Sequence, residues 1–159
     1  MRLELTDDMQ LIADIMQHPD LYERISDDSC KGLTGMELVN YLESKQEETL
    51  YLKVVADDEK VAGFFVANQD EDDDTLEVHI SMLKPYRGKF AIEAALKAKE
   101  LLFSKTHYTR LTTRVPSLYL PVLQFVSKIG YTLDYVIEDE FMKNNKQYDM
   151  YCLSMRKEA

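Results

Sequence analysis

A mixed α/β fold, one mostly antiparallel twisted sheet with helices on both faces, is what this sequence predicts. The β-rich runs "LYLKVVA" and "VAGFFVA" are separated only by the polar residues 57 to 60, which is hairpin spacing. A third run, "TLEVHISML", leads into an alanine-rich helical stretch and then another β-rich run, "YTRLTTRV". A strand-helix-strand crossover of that kind joins parallel strands, so the sheet is mixed. No internal repeat or low-complexity linker interrupts the 159 residues, and the expectation is a single domain over 1–159.

After a short strand-like start, Thr6 is the expected N-cap of the first helix, with Asp7 and Asp8 in its first turn, where carboxylates favour the positive helix end. Leu11, Ile12, Ile15 and Met16 form its apolar stripe, and Pro19 stops it. A second helix opens at "TGMEL", where Thr34 and Glu37 have capping-box spacing and Leu38, Tyr41 and Leu42 follow. In the third β run, Leu76, Val78, Ile80 and Met82 alternate with Thr75, Glu77, His79 and Ser81. One face is then apolar and the other polar, with Glu77 and His79 sharing the polar face.

The next helix, from about Gly88 to Phe103, carries Ala91, Ala95, Ala98 and Leu102 on one side, with Ile92, Leu96 and Phe103 beside them. Pro121 in "SLYLPVLQFVSKIGY" must fall in a first helical turn, where no intrahelical N–H is lost, and Gly130 ends that helix. "YTLDYVIED" and "QYDMYCLSM" read as closing strands joined by a polar connection, "EFMKNNK".

Charge excludes some functions. A net charge of -10 lacks the basic footprint needed on nucleic acid or an anionic membrane, and suits a cationic or amine-bearing partner. Cys30 and Cys152 match no ligand spacing and read as small core residues, not as a disulfide or zinc pair. "MRLELTDDMQ" has no secretory pattern, and no apolar run approaches the roughly 20 residues of a membrane span, so the expected location is cytoplasmic. "DEDDDT" spaces acids like a calcium loop, but Thr75 stands at the turn glycine and Ser81 at the closing glutamate; no metal site is expected.

Two constellations carry chemistry. At "KPYRGKFAI" an Arg-Gly pair opens the long helix, whose N-terminal amides and dipole favour an anion; the competing reading is a plain turn. Glu77 and His79 are a candidate general base, against the alternative of a cross-strand polar pair on a solvated face. His18 and His107 flank turns and carry no site signal.

The element order, with "HISMLKPYRGK" and "FVSKIGY", resembles the GCN5-related N-acetyltransferases (GNAT) over roughly residues 1 to 157, and looks closest to divergent, phage-type members. The resemblance implies acetyl-coenzyme A (acetyl-CoA) as co-substrate and direct acetyl transfer to an amine of a small molecule or protein. A host cytoplasm or virion location would follow for a phage-encoded chain. In that family an Arg/Gln-x-x-Gly-x-Gly/Ala loop opens the main helix and holds the pyrophosphate. Carried onto this chain, the donor contacts are Ile80 and Met82 on the strand and Arg87, Gly88, Lys89, Phe90, Ala91 and Ile92 at the helix start. Arg87 matches the motif, whereas Phe90 and Ile92 stand at its two small positions.

The resemblance makes Glu77 or His79 the base. The tyrosine that protonates the departing thiolate in many members is replaced by Val126, which leaves Tyr119, Tyr148 and above all Tyr151 as substitutes. Some relatives are virion or accessory proteins with no assigned catalysis, so a GNAT-like binding module with Phe90 and Ile92 filling the cleft is the alternative. A homodimer or a protein partner is compatible with either.

Overall fold

Alternation in the β-rich runs produces a sheet that buries both faces. The computed structural model describes residues 1 to 21 and 35 to 158. In chain order they form β1 (Arg2–Leu5), α1 (Met9–Met16), α2 (Gly35–Ser44), β2 (Thr49–Val55), β3 (Val61–Gln69), β4 (Thr75–Met82), α3 (Lys89–Lys105), β5 (Arg110–Pro116), α4 (Leu120–Lys128), β6 (Thr132–Lys143) and β7 (Lys146–Arg156). The strands make one seven-stranded sheet, ordered β1-β2-β3-β4-β5-β7-β6. The β4/β5 pair around α3 is parallel and every other pair antiparallel, as the crossover required.

Each face has its own core. Leu52, Val54, Phe65, Leu76, Val78, Leu111, Val115 and Leu153 meet Ala91, Ala94, Ala95, Ala98 and Leu102 of α3 and Val126 of α4. Alanine at those turns lets α3 lie close to the sheet. On the opposite face Tyr51 and Phe64 pack under Met9, Ile12, Ala13 and Ile15 of α1 and Leu38, Val39 and Leu42 of α2. Gly63 is where β3 meets β4 most tightly: a Cβ there would lie 2.1 Å from the Ser81 carbonyl oxygen.

Several local expectations are corrected. The N-cap of α1 is Asp8, whose Oδ1 accepts from Leu11 N at 3.1 Å; Thr6 follows directly on β1, its N–H donating to the Tyr51 carbonyl. The helix ends at Met16, before Pro19 is reached. Leu96 is exposed instead of joining the alanine stripe, and Thr75 and Ser81 on the polar side of β4 are buried. The closing strands are longer than their β-rich cores: Phe141 and Met142 lie in β6, and only Asn144 and Asn145 turn the chain, both with positive φ. Asparagine tolerates that left-handed conformation, which allows so short a hairpin. Cys152 is a buried free thiol, while Cys30 and Thr34 lie outside the described residues.

Candidate functional site

The parallel pair is where the sheet opens. β4 and β5 are in register only at Thr75↔Arg110, Leu76↔Leu111 and Glu77↔Thr112. Beyond that, β4 stays on β3 as far as Met82↔Gly63, and β5 stays on β7 as far as Pro116↔Met150. Each strand follows its antiparallel neighbour, so the two diverge and leave a cavity of about 800 Å³ between them. That is ample for a small-molecule site.

Because successive strand side chains point to opposite faces, the cavity has two chemically different ends. Ile80 and Met82 of β4 look toward α3 and α4, where Gly88, Ala91, Ile92, Val122, Phe125 and Lys128 continue the wall. Glu77 and His79 look toward α1 and α2, with Arg114 of β5 and the apolar group Tyr41, Leu42, Tyr51, Phe64 and Val66.

At the first end, α3 starts without a side-chain cap; its N-cap is Gly88, with φ +89° and ψ -133°. That backbone is open essentially to glycine alone. The first turn of a helix leaves N–H groups with no intrahelical acceptor, which can receive an anion. Phe90 turns its ring onto Tyr86, centroids 5.2 Å apart, and packs against the α3-side core. Neither Phe90 nor Lys89 lines the cavity, whereas Gly88, Ala91 and Ile92 do. Arg87 also lines it, yet its guanidinium braces the chain: Nε donates to the Met82 carbonyl at 3.2 Å and Nη2 to the Asp20 carbonyl at 2.8 Å.

At the second end, His79 Nε2 and Glu77 Oε1 lie 3.3 Å apart, and Arg114 Nε lies 3.5 Å from the same carboxylate oxygen. All three are solvent-reachable, with side chains 37%, 27% and 46% exposed respectively. The hydrogen bond to His79, followed by the charges of His79 and Arg114, holds the Glu77 carboxyl below its usual range against the opposing effect of burial. Glu77 is therefore a carboxylate at neutral pH, suited to orienting a histidine or an ammonium.

The candidate acids separate by position. Tyr119 lines the cavity; its phenol oxygen accepts from Lys143 Nζ at 2.8 Å, and the Phe141 ring stands edge-on to it, centroids 6.4 Å apart. Tyr148 and Tyr151 are not among the lining residues; Tyr151 packs against the α3-side core, and Val126 is buried there. Sequence reasoning did not single out Arg114, Lys128 or Phe141. Only the alternation of "LTTRV", which puts Arg114 on the same face as Thr112, offered a signal for the first of these.

The donor end can be tested for fit to acetyl-CoA. An uncapped helix start at a positive-φ glycine, Lys128 in the wall and the β4 edge without a β5 partner beyond Glu77 match a ligand with a phosphate-bearing end and an amide-containing arm. Of the two side chains expected to obstruct it, Phe90 is turned away and Ile92 forms part of the wall. The residues present fit the group.

Comparison with known proteins locates the fold. No protein-family model and no curated protein sequence matches the chain. Solved structures do. A chimera of the Vibrio cholerae spermidine N-acetyltransferase SpeG with hSSAT superposes with a TM-score of 0.82 at 13% identity, covering 98% of this chain and 94% of that one. A point mutant of the Vibrio cholerae enzyme gives 0.82 at 12% identity over 98% and 95% of the two chains. A protein assigned as a phosphinothricin N-acetyltransferase gives 0.79 at 16% identity over 99% of both chains. The chain therefore has the fold of these N-acetyltransferases along its whole length.

Proposed function

We propose that this chain is an acetyl-CoA-dependent N-acetyltransferase that moves an acetyl group directly to an amine in a ternary complex. The observation that carries this reading is the cavity through the sheet at the β4/β5 divergence, with an uncapped helix start at one end and a histidine-carboxylate pair at the other. A donor and an acceptor entering from opposite faces would meet in the gap. The similarity to solved N-acetyltransferases supports the same reading.

Acetyl-CoA, when bound, supplies an acyl carbon whose bond to sulfur is exchanged for a bond to nitrogen. The amides at the start of α3 and Lys128 would hold the phosphate-bearing end, and Ile80, Met82 and Ile92 the arm. His79, with Nε2–H donated to Glu77, keeps Nδ1 as an acceptor and would take the proton of the attacking ammonium, directly or through water. Glu77 would fix that tautomer. Tyr119, which lines the cavity where Tyr151 does not, is the better placed donor for the leaving sulfur. The non-catalytic alternative has Phe90 and Ile92 filling the cleft; Phe90 turns away from the cavity, which favours the catalytic reading, while Ile92 lines it.

The test is calorimetric titration with acetyl-CoA, followed by thiol release on adding primary amines. Saturable micromolar binding is expected, abolished by Ile92→Trp with the melting temperature retained. His79→Ala should slow transfer by roughly 10²- to 10⁴-fold. A parent protein that gives neither heat nor thermal stabilisation with acetyl-CoA sinks the proposal.

A further inference from the structure

The charge in the cavity runs against the charge of the chain. The whole sequence carries -10, yet Arg87, Arg114 and Lys128 line the cavity and, among the described residues, Glu77 is its one carboxylate. That carboxylate is shared with His79 and Arg114. A polycationic acceptor needs several carboxylates along its length, because each buried ammonium requires its own partner. The acceptor end instead offers one negative and one positive group side by side.

Arg114 is the informative residue. Its ion pair with Glu77 runs through Nε at 3.5 Å, and its terminal Nη groups make no hydrogen bond within 3.5 Å to an acceptor among the described residues. An arginine so placed, half-exposed at the wall of a cavity, is suited to a bidentate carboxylate. Glu77 beside it is suited to an ammonium. A ligand with the reverse pair, ammonium next to carboxylate, neutralises both, and an α-amino acid carries those two groups on one carbon. The rest of this end is Tyr41, Leu42, Tyr51, Phe64 and Val66, an apolar and aromatic lining that suits a bulky hydrocarbon side chain.

Resting on the acetyltransferase reading, we infer that the acceptor is an apolar or aromatic α-amino acid. Its ammonium would sit at Glu77 and His79, its carboxylate on Arg114, and its side chain among Tyr51, Phe64 and Val66. In the transfer the ammonium first gives one proton to His79. The neutral amine then forms the C–N bond as the C–S bond breaks, and the nitrogen's second proton passes, through water or Tyr119, to the departing sulfur. The sulfur leaves with the electron pair and is protonated, so an N-acetyl amino acid and the free thiol result.

Three acceptors separate the alternatives: L-phenylalanine, phenethylamine, which is the same amine without the carboxylate, and spermidine. Thiol release from acetyl-CoA gives kcat/KM for each, and thermal shift with coenzyme A present reads binding independently of turnover. L-phenylalanine should exceed phenethylamine by roughly 10- to 100-fold, as for a hydrogen-bonded charge pair, with spermidine poorest. Arg114→Ala should erase that preference by raising KM far more for L-phenylalanine than for phenethylamine, and Arg114→Lys should restore part of it. Equal use of phenethylamine, a preference for spermidine, or an Arg114→Ala loss of the same size for all three amines overturns the inference. Binding of acetyl-CoA with no amino-acid binding refutes the inference alone. Failure to bind acetyl-CoA refutes the acetyltransferase reading, and L-phenylalanine stabilisation of the donor-free protein then decides whether Arg114 holds a carboxylate.

Discussion

The two edges of β4 behave differently. Toward β3 the strand is zipped along its length, from Leu76 opposite Gln69 to Met82 opposite Gly63, and the backbones close so tightly that only glycine fits at 63. Toward β5 it is paired for three residues and then released. Because side chains alternate, the same strand sends Leu76, Val78 and Met82 into the α3-side core and turns Glu77 and His79 to the other side of the gap. One edge closes the sheet and the other opens the cavity. A substitution on the first should be felt as stability, and one on the second as binding or rate.

The largest effect should come from breaking the closed edge. Gly63→Val puts a branched side chain where even a Cβ meets the Ser81 carbonyl at 2.1 Å, so the β3/β4 ladder must open. Overpacking alone costs about 1–3 kcal/mol, and a lost ladder adds to it. The expected outcome is a melting temperature at least about 5 °C lower, read by circular dichroism. A stable Gly63→Val protein would show that the closed edge is more plastic than its geometry indicates.

A smaller effect is expected at the open edge. Gly88 has free space around its Cα, so Gly88→Ala meets no atom within 4 Å, but its φ of +89° is strained for any other residue. The cost should be about 1–3 kcal/mol, seen as a lowered denaturation midpoint. Acetyl-CoA affinity should fall by more than the stability loss explains if the start of α3 forms the donor site. Unchanged affinity in the folded fraction would move the phosphates elsewhere.

The smallest effect sharpens the comparison through pH. Glu77 has a folded pKa below its unfolded one, chiefly through the His79 hydrogen bond. Its contribution is therefore present above the ordinary glutamate pKa of about 4.3 and is lost as pH falls through the lower folded value. Parent and Glu77→Gln should differ in urea midpoint at pH 7 and converge toward pH 3. A gap that stays constant over that range would mean that Glu77 acts through shape and not through charge.

Most of the fold was legible because it is written in local periods. The alternation in "TLEVHISML", the alanine stripe of "AIEAALKAKELL" and the positions of Pro121 and Gly130 each act within a turn or two of chain. Element ends were less legible where distant pairing decided them: the Thr6 N–H, just past β1, is held by the Tyr51 carbonyl, and the cap of α1 falls at Asp8. At the site, the shared face of Glu77 and His79 followed from alternation, but their neighbour Arg114 did not. Phe90 was readable as a departure from the family loop, while the direction of its ring was not, since Tyr86 and the core beneath α3 set it.

By itself the sequence determined which segments are strand and helix and their order, because those choices depend on side-chain period and backbone preference over a few residues. Only the tertiary structure decided where the sheet splits. The gap exists because β4 and β5 each hold a longer register with another strand, a competition among ladders that no local stretch encodes. It also decided that Arg114 stands beside Glu77 and that Arg87 bonds the backbone of Asp20, contacts that long-range packing alone brings within hydrogen-bonding or ion-pair distance.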